Sequence, residues 1–140
     1  MSVDFIDSNV FVYLVDETNA AKHAAARALV DDALTRDTGV VSFQVVQETL
    51  NVLTSKLKVI ARAEDAVDFM RHTLQPMWRV QPSAELYAGA IDVQERHGFG
   101  FYDSLIVAAA LQAGCKRLLS EDLQHGQRIG KLRIENPFRA

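Results

Sequence analysis

Apolar positions recur along this 140-residue chain with two different periods, and their alternation sets the first expectation of its fold. Val3–Ile6 is a short apolar run that stops at Asp7, and Ser8 or Asn9 is placed to cap a following helical turn. Ala21–Leu34 has helical spacing, with Ala25, Ala28 and Leu29 expected on its inner face. Gly39–Ser42 reads as a second strand leading into a helix whose Val46, Leu50, Leu53 and Leu57 recur at core spacing. Arg62–Leu74 repeats the pattern through Ala63, Val67, Met70 and Leu74, and Trp78–Val80 is a further strand candidate. Ser83 begins a helix with Leu86, Ala90 and Ile91 inward, and Gly98 closes it. Asp103–Ala113 is apolar on nearly every face, which predicts a helix buried in the middle of the domain with Gly114 just past its end. Leu118–Ser120 and Leu132–Glu135 complete the strands.

Short apolar strands separated by longer helices predict a parallel sheet covered on both faces. The expected class is α/β, a three-layer α/β/α sandwich with a short central parallel sheet and more helix than strand. Pro76, Pro82 and Pro137 all fall outside the helical patterns, and no linker or repeat interrupts them, so residues 1–140 read as a single domain. The longest aliphatic run, Leu105–Leu111, is far short of the ~20 residues a membrane span needs. The first residues lack the basic and small-residue pattern of a secretory signal. A lone cysteine, Cys115, suits a reducing compartment. The expectation is therefore a soluble, cytoplasmic protein without a membrane association.

Charge becomes informative only when the chain is divided. The net formal charge is −3, yet residues 116–140 hold six basic side chains against three acidic ones. The acidic excess thus lies in residues 1–115, a pattern suited to holding cations at one place and meeting a polyanion at another.

Ligands of such a sheet bind outside the carboxyl ends of its strands, and the pattern delivers acids there. Asp7 follows the first strand, and Asp122 follows the strand at Leu118–Ser120. Asp103 opens the buried helix, and Glu48 shares a polar helix face with Gln44, Asn51 and Ser55. Singly, each has an ordinary role as a cap, a turn residue or a solvated side chain. Together, acids set among apolar runs carry a desolvation cost and repel one another unless a cation compensates. A hard divalent ion, Mg²⁺ or Mn²⁺, suits an all-oxygen donor set. His23, His72, His97 and His125 are scattered without ligand spacing, which argues against zinc.

The segments FIDSNVFVYL, VVQETLNVL, FGFYDSLIVAAALQAGC and LLSEDLQHGQ, in that order, resemble the PIN domain, specifically the VapC-like toxins of toxin–antitoxin pairs. The resemblance implies an endoribonuclease dependent on Mg²⁺ or Mn²⁺, which hydrolyses RNA phosphodiester bonds with metal-activated water. Its four acids fall on Asp7, Glu48, Asp103 and Asp122, with Ser120 at a hydroxyl position and Asn9 in support. Asp7 and Asp103 would be the principal metal ligands, with Glu48 and Asp122 completing the shell directly or through water. Glu121 is a neighbour that should point away from Asp122. RNA phosphates would be met at the rim by Lys116, Arg117, Arg128, Lys131 and Arg133, with Lys56, Lys58 and Arg62 as a second basic cluster. The implied partners are an RNA substrate, a small cognate antitoxin and a second copy of the chain. For that dimer, the helices at Val46–Leu57 and Ala63–Leu74 offer apolar faces.

Two other readings share these motifs: a PIN nuclease of RNA processing without an antitoxin, and a non-catalytic metal-binding interaction module. A phosphatase of the haloacid dehalogenase type would want two aspartates two apart after the first strand, whereas Asp4 and Asp7 are separated by three.

Overall fold

The computed structural model describes residues 2–139. Its strands are β1 (Asp4–Ile6), β2 (Gly39–Ser42), β3 (Trp78–Val80), β4 (Arg117–Leu119), β5 (Arg128–Ile129) and β6 (Leu132–Glu135). Its α-helices are α1 (Ser8–Val15), α2 (Ala20–Arg36), α3 (Phe43–Asn51), α4 (Ala63–Phe69), α5 (Ala84–His97) and α6 (Phe101–Gln112).

The strands form one sheet in the order β3-β2-β1-β4-β6-β5, parallel throughout except for the β5–β6 hairpin. From β1 the chain steps outward to β2 and β3, then returns across the sheet to β4. Right-handed crossovers therefore put α1–α4 on one face and α5–α6 on the other, which makes three layers. The reversal of direction lies between β1 and β4, so a crevice opens at their carboxyl ends.

Local chemistry accounts for the element ends. Asn19, Ser42 and Ser83 each accept a backbone N–H with the side chain, capping α2, α3 and α5. Gly98 closes α5 in the left-handed region, φ 73°, where a Cβ would be strained. Phe5 and Ile6 are fully buried because helices cover both sides of β1. Ser104–Ala110 are all buried, so the middle of α6 is enclosed as its composition predicted, while Tyr102, Asp103, Leu111 and Gln112 towards its ends are exposed.

Several details depart from the sequence pattern. The α6 helix begins two residues before Asp103, with Gly100 as its N-cap, so Asp103 lies in the first turn and does not cap it. The inner face of α2 is Ala26, Val30 and Ala33, while Ala28 is exposed. On α5 Val93 is buried and Ile91 is 57% exposed. After α3 the helix widens into a π-helical turn, Val52–Lys56, which rotates Leu57 off the core side and leaves it exposed. The same widening follows α4 at Met70–Leu74, and α4 itself buries no residue. Strand β4 begins at Arg117 and ends before Ser120. The two-residue strand β5 carries too little pattern to be foreseen.

Candidate active site

Strand β1 ends at Ile6, and the next residue, Asp7, turns the chain into α1. Its backbone is extended and its carboxylate caps the helix, accepting from Ser8 N–H at 2.7 Å. The neighbouring parallel strand holds it from the other side. Asp7 N–H donates to Leu119 O, and the Ser120 hydroxyl donates to Asp7 Oδ2 at 2.7 Å. Asp7 is only 6% exposed. Burial pushes its carboxyl up to about 6; the bonds from Ser120 and Ser8 work against this, and the charges of Glu48 and Asp122 add to it.

Glu48 lies on α3, and its two oxygens have separate partners. Oε1 accepts from Gln44 Nε2 at 2.8 Å, one helical turn back, and Oε2 accepts from the Ser8 hydroxyl at 3.2 Å. Gln44 Nε2 also donates to Tyr102 O, fixing α3 against the first turn of α6, where Asp103 stands. The carboxyl of Asp103 is raised by desolvation and next by the charge of Asp122, although the residue is exposed, contrary to its apolar neighbours in sequence.

Asp122 sits three residues beyond the end of β4 in a small hydroxyl-centred turn. Its N–H donates to Ser120 Oγ at 3.1 Å, and its Oδ2 accepts from Asn9 Nδ2 at 3.1 Å. Asn9 Nδ2 also reaches Ser120 Oγ at 3.3 Å. Glu121 has different partners, accepting from the Tyr13 hydroxyl at 2.7 Å and pairing with Lys22 at 2.9 Å, though it lines the same cavity as Asp122. Residues from β1, α1, α3, α6 and the β4 end thus meet at the crevice. Asp7 is coupled electrostatically to Glu48 and Asp122, and Asp103 to Asp122.

Among the described residues, no three Asp, Glu, His or Cys side chains stand close enough together to share an ion as they are placed. Protein donors hold the oxygens of Asp7, Glu48 and Asp122 instead. The donor chemistry still fits a hard divalent ion: every candidate ligand is a carboxylate, they repel one another, and none of the four forms an ion pair among the described residues.

A cavity of about 290 Å³ is lined by Asp122 together with Ser8, Asn9, Val12, Tyr13, Asp16, Val52, Leu57 and Glu121. The exposure of Leu57 by the π-helical turn supplies one wall. Lys56 and Lys58 flank Leu57, which lines the cavity. The other basic group is not at this rim. Lys116, Arg117, Arg128, Lys131 and Arg133 gather at the amino ends of β4 and β6, away from the carboxyl ends where the acids meet. Arg117 is engaged structurally, bonding to Asp4 and Glu135. Sequence reasoning missed Gln44 as the residue that orients Glu48. The signal was its position four residues earlier on the same helix face. The Tyr13–Glu121–Lys22 link joins distant positions and left no local trace.

A PIN domain family model matches residues 5–130. No curated protein matches the chain in sequence. Among solved structures, the chain is similar to VapC20 of Mycobacterium tuberculosis, a sarcin–ricin loop cleaving toxin, at 21% identity and TM-score 0.61, covering 85% of this chain and 91% of that one. It is also similar to VapBC2 of Rickettsia felis bound to a promoter DNA fragment, at 20% identity and TM-score 0.65, covering 96% and 98%. DNA-bound VapBC of Salmonella typhimurium matches at 15% identity and TM-score 0.67, covering 98% and 99%.

Proposed function

The chain belongs to the PIN domain family, and from that premise we propose that it is a metal-dependent endoribonuclease serving as the toxin of a toxin–antitoxin pair. The observation that supports this reading is that Glu48 and Asp122 each raise the Asp7 carboxyl pKa and Asp122 that of Asp103, four acids remote in sequence with no ion pair to neutralise them among the described residues.

Asp7 and Asp103, with Glu48 and Asp122, would hold Mg²⁺ or Mn²⁺. When bound, such an ion makes water a stronger nucleophile at neutral pH and neutralises charge on the phosphate under attack. The chain's own residues do the positioning. Ser120 and the Ser8 N–H aim the two oxygens of Asp7. Gln44 and the Ser8 hydroxyl fix the Glu48 carboxylate, and Asn9 fixes that of Asp122. Fixed carboxylates need little reorganisation to receive charge, the condition for strong electrostatic catalysis. Near and below about pH 6 the Asp7 carboxyl keeps its proton and its ligand charge is lost. An RNA strand would reach Asp122 through the 290 Å³ cavity that this residue lines with Ser8 and Asn9.

Structural relatives that are toxins or toxin–antitoxin complexes support an antitoxin as the protein partner. A second copy would pack on the apolar strip of α3 and α4, where Leu50, Thr54, Ala66, Val67 and Met70 line a cavity of about 170 Å³. The decisive test is cleavage of cellular RNA by the purified protein with Mg²⁺ or Mn²⁺ and with EDTA, together with mapping of new transcript ends on induction. Metal-dependent cleavage is expected. A metal-replete protein that leaves RNA intact, or cleavage unaffected by EDTA, overturns the reading.

A further inference from the structure

We propose that the cavity at the amino ends of β4 and β6 is a second nucleic-acid site, which holds backbone phosphates of the RNA strand away from the carboxylate centre. The preceding reading supplies only the identity of the polyanion.

The cavity has a volume of about 300 Å³ and is lined by Lys116, Arg117, Arg128, Lys131, Arg133 and Glu135. Strand register forces these charges together. Arg117 lies opposite Arg133 in the parallel pair, and Arg133 lies opposite Arg128 in the hairpin. Three arginines across adjacent strands are like charges held side by side, and carboxylates pair with two of them, Arg117 and Arg133. Gly130, at φ 59°, makes the tight turn that carries Lys131 to the same end, and Arg133 N–H bonds to Lys116 O.

Two carboxylates reach this cluster, and both are used. Asp4 bonds to Arg117, while Glu135 pairs with Arg117 at 3.0 Å and with Arg133 at 3.4 Å. Lys116, Arg128 and Lys131 have no ion-pair partner among the described residues. A concave site with three unneutralised cations, the Arg128 guanidinium fork among them, is matched by closely spaced phosphates.

RNA is the polyanion that fits the placement. Strands β4 and β6 both run from this cavity toward the crevice: Lys116 is four residues before Ser120, roughly 13 Å along an extended strand. A single strand of a few nucleotides is long enough to span that separation. The acidic centre repels a polyanion, and a cationic anchor at a distance offsets that repulsion without placing lysines among the metal ligands.

The test is equilibrium binding, by fluorescence anisotropy in EDTA, of a labelled single-stranded RNA of about 20 nucleotides over a range of salt concentrations. Wild type is compared with Arg128→Gln/Lys131→Gln and with Arg27→Gln/Arg36→Gln, which removes two cations from α2. Losing two phosphate contacts should lower the slope of log affinity against log salt by ~1.4. The α2 variant should keep the wild-type slope. Arg128→Gln alone, with an expected fall of ~0.7, serves if the double variant unfolds. An unchanged slope in the folded variants overturns the proposal and leaves the charges as guards of the exposed β5 edge. So does a loss seen only with an acidic peptide probe and not with RNA. Cleavage assayed in Mg²⁺ on the same wild-type sample separates the two ideas. Cleavage with unchanged slopes removes this site alone; lowered slopes without cleavage remove the nuclease and leave the site.

Discussion

The Ser120 hydroxyl donates to Asp7 Oδ2 across 2.7 Å, joining residues 113 positions apart at the ends of adjacent parallel strands. Ser120 is fully buried, so this donor has no solvent to replace it. It lowers the carboxyl pKa that burial raises. Ser120→Ala should therefore raise the Asp7 pKa beyond about 6 and shift the acid limb of the cleavage profile to higher pH. Loss of a buried donor should also destabilise the fold by ~1–3 kcal/mol. Ser120→Thr, which keeps the hydroxyl, should retain the wild-type pH profile. A profile that Ser120→Ala leaves unmoved would dissociate the two residues.

Asp7→Asn separates activity from stability. Below the ordinary carboxyl pKa of 3.8 Asp7 is protonated in folded and unfolded chains alike. As pH rises, the unfolded chain ionises first, and the folded protein loses stability until its own carboxyl titrates near 6. The accumulated loss is up to ~3 kcal/mol, and the amide substitution escapes it. Urea unfolding in EDTA should find Asp7→Asn gaining on wild type between about pH 4 and about pH 6 and keeping a constant advantage above that, while its cleavage activity falls at least ~100-fold. A stability difference that does not change with pH would mean the carboxyl is not perturbed by folding.

Divalent ion should stabilise the fold because it relieves repulsion among the acids. At a hundredfold excess over its dissociation constant a native-state ligand adds ~2.7 kcal/mol, roughly 8 °C in Tm for a domain of this size. Mn²⁺ should raise Tm more at about pH 8 than at about pH 5, where protons compete for Asp7. Asp103→Asn should lose most of the rise. A rise equal in the variant and wild type would place the ion elsewhere.

How far the pattern of residues could be read depended on how local each determinant is. The burial of α6 and the strands at Gly39–Ser42 and Trp78–Val80 follow from their own composition. So do the ends of α5 at Ser83 and Gly98, which are set by a side-chain cap and a positive φ. Which of Ile91 and Val93 turns inward depends on packing of α5 against α6, and two residues of β5 depend on a partner strand. The acids Asp7, Glu48, Asp103 and Asp122 stood out because each follows a recognisable run. Their supports did not: Gln44 matters through Tyr102 O, 58 positions away, and Lys22 through Glu121. The basic end was visible as charge, but only strand register places it at the amino ends of β4 and β6.

Gly39→Ala tests the packing that supports β1. A Cβ at this position would run into Met77 Sδ and lie 3.1 Å from Ala33 Cβ and 3.3 Å from Ile6 Cδ1. Met77 is itself buried and has little room to withdraw. The substitution should cost ~1–3 kcal/mol in urea unfolding without altering the salt dependence of RNA binding. A neutral effect would mean that Met77 finds another rotamer.

Glu121 and Asp122 are adjacent acids with opposite assignments, and their amide variants provide the sharpest local control. Glu121 is held by the Tyr13 hydroxyl and Lys22, whereas Asp122 faces Asn9 and raises the carboxyl pKa of both Asp7 and Asp103. Asp122→Asn should lower cleavage by ~10-fold or more through loss of charge at the ion site, with a matching loss of the Mn²⁺-induced rise in Tm. Glu121→Gln should weaken only the links to Lys22 and Tyr13, at the protein surface, and should keep the metal response. The reverse ranking, with Glu121→Gln abolishing the metal response and Asp122→Asn sparing it, would exchange the two assignments and break the connection drawn from Ser120 to Asp7.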